Sequence, residues 1–216
     1  MTEILTNGFV CEDRNGVVIQ TTRPPVDNLS EEVLVVWKDS RSISQDQRKK
    51  AWALMSEIAE FQGESKEDVY REQQIAFSTK SLDVLQGKLF HLSSASMSEA
   101  KQFIDLLVEI VVEFGIPTKK PLVEYCEDIG KFVYACLLNK RCCVCGKPGE
   151  LHHVDHVGNG RDRLKINHIG MECLPLCREH HTEAHTMGKD EFLSKYHLQT
   201  IRIDERIARK YRLNWR

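Results

Sequence analysis

Residues 142–146, Cys142-Cys143-Val144-Cys145-Gly146, and residues 177–185, Cys177-Arg178-Glu179-His180-His181-Thr182-Glu183-Ala184-His185, decide how the carboxy-terminal part of this chain is read. Two thiolates three positions apart on a tight turn, with a glycine relieving the bend, can both face one tetrahedral ion. Cys142 and Cys145 have that spacing, and 31 intervening residues later Cys177 and His180 repeat it. The four make a closed ligand set for a structural Zn2+, with Cys143 as an alternative ligand and Cys173 as a spare. The competing readings are a redox pair and buried thiols without metal. Between the two pairs stands Glu150-Leu151-His152-His153-Val154-Asp155-His156, followed by the turn Gly158-Asn159-Gly160. His181 and His185 are four apart, so on a helix they share a face and reach one ion. His152 and His153 are adjacent, so on an extended strand they point to opposite sides, one toward a metal and the other toward substrate.

The distribution of residue types supports a local site. Eight of the nine histidines lie at or after His152, and five of the eight cysteines fall between Cys142 and Cys177. The chain shows neither an apolar leader nor a run of 18 apolar residues, so it is expected to be cytoplasmic, with no membrane partner. In that reducing compartment paired cysteines are metal ligands more often than disulfides. Residues 141–216 carry 14 Lys/Arg against 10 Asp/Glu, a net of +4, which leaves −6 of the overall −2 for residues 1–140. The positive part would attract a polyanion. An ordinary solvated surface is the other reading of the same charges.

Toward the amino terminus the pattern is first strand and then helix. Phe9-Val10 and Val17-Val18-Ile19 flank Asn15-Gly16, a dipeptide favoured in tight hairpins, and Val33-Leu34-Val35-Val36-Trp37 is a further strand candidate beyond the Pro24-Pro25 break. From the expected N-cap Ser44, Trp52, Met55, Ile58, Ala59 and Phe61 recur at helical spacing until Gly63. A second helical start lies at Ser65-Lys66-Glu67-Asp68. Ser98 is expected to open an amphipathic helix closed by Gly115 and Pro117, and another helix is expected over residues 124–139, with Cys126 and Cys136 as small core residues. The final stretch, Ile201 to Arg216, interleaves six basic residues with Tyr211 and Trp215, and either lies along nucleic acid or docks back on the body.

The segment 141–190, with Cys-x-x-Cys, then Glu-x-His-His, then Pro-Leu-Cys-x-x-His-His and a further His, resembles the HNH or ββα-metal endonucleases that carry an added zinc staple. That resemblance implies that His152, His181 and His185 hold a catalytic divalent metal (Mg2+, Mn2+, Ni2+ or Zn2+) and that His153 activates water. A neutral imidazole suits that task near pH 7. The family's central Asn usually stands about five residues before the knuckle cysteine, where this chain has Glu172, so Asn167 and His168 are the candidates for orienting the base. Asp155-His156 is the alternative metal-plus-base pair. Arg161, Arg163 and Arg178 flank the site and could hold the scissile phosphate or its neighbours.

Residues 41–77, Arg41-Ser42-Ile43-Ser44-Gln45-Asp46-Gln47-Arg48-Lys49-Lys50-Ala51-Trp52 onward to Ile75-Ala76-Phe77, resemble the NinB/Orf phage recombination mediators. That likeness implies an intertwined homodimer on single-stranded, gapped or branched DNA, working with single-strand-binding protein and a recombinase. Arg41, Arg48, Lys49 and Lys50 would touch phosphates and Trp52 would stack on a base, the other reading of Trp52 being a core residue. The expectation is therefore an α+β chain in which residues 1–140 bind DNA and dimerise, and residues 141–216 form the HNH nuclease. The rival is a non-enzymatic mediator whose HNH module uses zinc only to hold a DNA-binding surface.

Overall fold

In the computed structural model, helix α1, Gln45–Gln62, begins at Ser44, whose hydroxyl accepts from Gln47 N at 3.1 Å while the Gln47 side chain accepts from Ser44 N at 3.2 Å. This reciprocal capping satisfies two otherwise unpaired donors. Gly63, at φ +75°, ends the helix as expected, in a left-handed conformation that costs a glycine little. Helix α2 is Lys66–Lys80, and α3 is Met97–Phe114. The cap of α3 is Ser96, two residues ahead of the expected Ser98, because Ser96 and Glu99 form a second capping box. The Ser98 hydroxyl instead donates to Asp39 at 2.7 Å. The structure describes residues 8–13 and 16–21 as backbone, and residues 39–80, 89–154 and 166–215.

The starts of α1 and α3 are tied by Ile43 N to Ala95 O and Met97 N to Arg41 O, each 2.9 Å. Between the helices Leu54, Met55, Ile58, Phe103, Ile104 and Leu107 are fully buried. Full burial of such side chains contributes about 1.5–3 kcal/mol each relative to exposure. Phe77 and Phe90 close the cluster over Phe103 with ring centroids 4.6–5.5 Å apart.

The helix expected over residues 124–139 is two elements. Leu122–Glu124 is a single 3-10 turn, and α4 is Ile129–Asn139. Asp128 sets the later start by accepting from Lys131 N at 3.1 Å. Then come β3, Glu150–His153; β4, Glu172–Leu176; helix α5, Arg178–Met187; α6, Lys189–Tyr196; β5, Ile201–Arg202; and α7, Glu205–Tyr211. The strands form one antiparallel sheet of order β3-β4-β5, with His152 opposite Leu174 and His153 opposite Cys173.

Helix α4 packs against α3 and also against β4, β5 and α7. Leu137, Leu174, Leu176, Ile203 and Ile207 are all buried to 2 % exposure or less. Asp39–Arg216 is consequently one compact unit, and the expected division at residues 140 and 141 falls inside its continuous core. The basic final stretch docks back on the body: Ile207 and Ala208 are fully buried and the Arg209 guanidinium lies 5.0 Å from the Trp215 ring centre.

The unit Met1–Lys38 contains the expected hairpin of β1, Gly8–Asp13, and β2, Gly16–Thr21, paired from Gly8 with Thr21 to Asp13 with Gly16. The strand expected at Val33–Trp37 and the Pro24-Pro25 break lie outside the described residues. Helices with small antiparallel sheets make the chain α+β, and among the described residues no helix is long and apolar enough to cross a membrane.

Candidate active site

The knuckle forms because the chain reverses immediately after α4. Cys142 N donates to Lys147 O at 2.7 Å, Gly146 N to Cys142 O at 2.9 Å and Gly149 N to Lys140 O at 2.8 Å. Gly149 is required by close approach, since a Cβ there would stand 2.9 Å from Cys142 N and 3.1 Å from the Arg141 carbonyl carbon. Across from this turn, Cys177 is the N-cap of α5, with His180 one turn on. Cys142 Sγ and Cys177 Sγ lie 3.5 and 3.1 Å from His180 Nδ1, and Cys145 Sγ lies 3.7 Å from Cys177 Sγ. All four donor atoms fall within 4.8 Å of one another, which is the closed soft-ligand set that suits zinc. Burial pushes the Cys177 thiol up, but the His180 N–H and the neighbouring thiols outweigh it and bring the thiol below its ordinary value. Cys143 turns away as a buried core residue whose N–H bonds Pro175 O at 3.0 Å, and Cys173 is buried at the sheet.

A second donor set lies beyond the first along α5. His181 and His185 stack with ring centres 5.0 Å apart, and His152 of β3 meets them edge-on at 4.6 and 4.9 Å. One nitrogen from each falls within 4.8 Å of the others. His152 is buried, and among the described residues its Nδ1 has no hydrogen-bond partner. An orphaned buried nitrogen is costly, so the three rings fit a cation better than they fit one another. Burial, followed by the charges of His181, His185 and His153, depresses His152 to about 4 and leaves it neutral at pH 7, the form a metal ligand needs. His181 is lowered too, by burial and His185, although Glu150, 3.9 Å from its Nδ1, pulls the other way.

His153 points away from this set, as alternation along β3 requires. Its Nε2 is 2.9 Å from Nδ1 of His168, which is buried. The His168 backbone is clamped, with its N–H donated to Asn214 O at 3.0 Å and its carbonyl accepting from Met171 N at 3.2 Å. Asn167 is exposed and uses its Oδ1 to accept from Ile169 N at 2.9 Å, closing its own turn. Of the two candidate partners for His153, the fold therefore brings His168 and not Asn167. Glu172 sits on β4 with Lys189 Nζ at 2.5 Å.

A cleft of about 200 Å³ opens here, lined by His152, His153, His185, Lys189 and the apolar Leu174 and Phe192. Glu150 and Lys189 are members of this neighbourhood that spacing did not single out for roles. Glu150 stands within the quoted Glu-x-His-His run, whereas Lys189, just past the end of α5, carries no sequence signal. Arg178 opens α5 as an exposed residue, and Asp155, His156, Arg161 and Arg163 lie outside the described residues.

The proposed amino-terminal contacts are dispersed. Arg41 is bound through two nitrogens to Asp39, and Lys50 bridges Asp46 at 3.3 Å and Glu127 at 2.8 Å. Arg48 and Lys49 are exposed and share a shallow groove with Ile43 and a half-buried Trp52, whose ring is 5.5 Å from Tyr70.

A family model described as "Putative HNHc nuclease" matches residues 19–214, so one model spans the amino-terminal helices and the ββα segment together. No curated protein and no solved structure matches the chain.

Proposed function

The chain belongs to the HNHc nuclease family, and on that premise we propose that it is a metal-dependent DNA endonuclease whose general base is His153. The observation that carries this reading is the division of labour across β3: His152 joins His181 and His185 on one side, while His153 meets His168 at 2.9 Å on the other. In this reading His153, steadied through Nε2 by His168 at 2.9 Å, uses Nδ1 as the basic nitrogen. That nitrogen takes a proton from the attacking water, and the imidazolium that results keeps its hydrogen bond to His168. Water adds at phosphorus, the bond to the 3′ oxygen breaks and the departing oxygen takes a proton from solvent, leaving a 3′-hydroxyl and a 5′-phosphate. A divalent cation held by His152, His181 and His185 would supply stabilisation of the charge on the phosphoryl oxygens and the leaving group. Zn2+ at Cys142, Cys145, Cys177 and His180 would hold α5 against the knuckle, and so hold two of those three histidines in place.

Nicking of supercoiled, single-stranded and branched DNA in Mg2+, Mn2+ or Ni2+ tests the reading. Cleavage that falls by about 10²–10⁴ in His153→Ala, with unchanged thermal unfolding, is the expected result. No cleavage by the unmodified protein with any of these ions would overturn it. We further propose, from the NinB/Orf likeness of residues 41–77, a recombination setting in which Arg48, Lys49 and Trp52, which share one groove, would contact single-stranded DNA. Loss of single-strand affinity in Trp52→Ala is its test.

A further inference from the structure

Arg141 joins the end of α4 to the zinc knuckle, and its guanidinium packs so closely on the end of α3 that a Cβ on Gly115 would stand 2.4 Å from Nη2. Arg141 is half-buried, and among the described residues no carboxylate lies within ion-pair distance of it. A guanidinium partly withdrawn from water and pinned in place lacks the anion that would compensate it. It opens on a cleft of about 610 Å³ between the end of α3, residues 117–121 and the knuckle. Lys119, Lys120 and Lys147 line the same cleft, Ile116 and Val144 give it an apolar wall, and among the described residues none that lines it is acidic. The lysines do have acidic neighbours outside the cleft: Glu60 is 2.8 Å from Lys119, Glu124 is 3.7 Å from Lys120 and Glu179 is 3.6 Å from Lys147. These pairs are exposed, and exposed pairs exchange partners at little cost.

We propose that this cleft holds the sugar–phosphate backbone of the nucleic-acid substrate, with a phosphate on Arg141, neighbouring phosphates on the lysines, and sugar against the apolar wall. Four cations spread around a space much larger than one phosphate group match a run of charges better than a single small anion. The cleft also borders the knuckle that borders the metal centre. Arg141 precedes the zinc ligand Cys142, and Cys142's co-ligand His180 precedes His181 on α5. A strand engaged at the catalytic cleft thus continues across the zinc staple.

The ligand rests on the nuclease reading, so binding is measured without cleavage, in the zinc-loaded His153→Ala protein, by fluorescence anisotropy of a short labelled DNA duplex between about 50 and 200 mM salt. Adding Arg141→Gln with Lys119→Gln should weaken binding several-fold and reduce the salt slope by roughly 1–2, since each lost phosphate contact removes about 0.9. Zinc content and unfolding temperature should not change. Lys119→Gln with Lys147→Gln changes only exposed side chains and supplies the same readout if Arg141→Gln fails to fold. Equal affinity and slope in a folded, zinc-loaded variant overturn the proposal. So does saturable binding of inorganic phosphate, lost in Arg141→Gln, that leaves DNA binding untouched. Lost DNA affinity in the variants together with no cleavage by the unmodified protein would keep the cleft and remove the nuclease reading. Cleavage with unaltered binding in the variants would do the reverse, and no DNA binding at all would remove both.

Discussion

Replacing His168 by alanine deletes the ring that meets His153 Nε2 at 2.9 Å but leaves the backbone bonds to Asn214 and Met171 that fix its loop. A hydrogen bond to a group that becomes charged contributes about 1.5–3 kcal/mol. At about 1.4 kcal/mol per decade, that is roughly a 10- to 150-fold loss of cleavage rate. Losing His153, the proposed base, should cost more, about 10²–10⁴. The measurement is single-turnover nicking of supercoiled DNA at saturating Mn2+, well below the unfolding temperature of each variant. His168→Asn should recover part of the rate, because its side-chain carbonyl still accepts a proton from His153 Nε2. The double variant His153→Ala/His168→Ala should be no slower than His153→Ala alone, since His168 acts through His153. Unchanged cleavage by His168→Ala, or losses that simply multiply in the double variant, would refute the positioning role.

Three further outcomes follow from the geometry. His152 is depressed to about 4 from an ordinary 6.5, so between those values the unfolded chain binds a proton that the folded chain refuses. Protein without the catalytic ion should therefore lose stability as pH falls from about 6.5 toward 4, and His152→Gln should flatten that dependence; identical pH–melting curves for the two proteins would contradict it. Cys142→Ser should lower bound zinc and unfolding temperature together, since structural zinc contributes on the order of 10 kcal/mol to small folds, and unchanged metal analysis and melting would exclude Cys142 from the ligand set. Gly149→Ala forces a methyl against the Cys142 and Arg141 backbone and should cost about 1–3 kcal/mol, read as a drop of several degrees in calorimetry.

The two donor sets were legible because their ligands come in short local pairs. Cys142 with Cys145, Cys177 with His180, and His181 with His185 each sit within one turn, and only His152 had to be brought in by β3. The partner of His153 was not separable from Asn167, because neighbours in one loop have no periodicity to rank them. What selects His168 is its backbone bond to Asn214, a contact from the far end of the chain. The starts of α1, α2 and α3 were readable to within a residue or two from Ser and acidic caps. The two-residue strand β5 and helix α6 were not, since each is held mainly by the sheet and α5 against which it lies. The basic run 41–50 reads as a cationic face in composition, yet Asp39 and Glu127 claim two of its members. Nothing local announces Glu127 as a partner of Lys50.

Helix α4 touches both the amino-terminal helices and the sheet that carries the histidines. The nuclease motif is consequently not a portable cassette. Excising residues 141–216 would strip Leu174, Leu176 and Ile207 of the Leu137 side of their core, so a truncation meant to isolate catalysis would report on misfolding instead. Heritable loss of activity should then map as readily to Phe103 or Leu107, far from any metal ligand in sequence, as to the histidines themselves. Fusions that preserve function should be joined ahead of Asp39, where the compact unit begins.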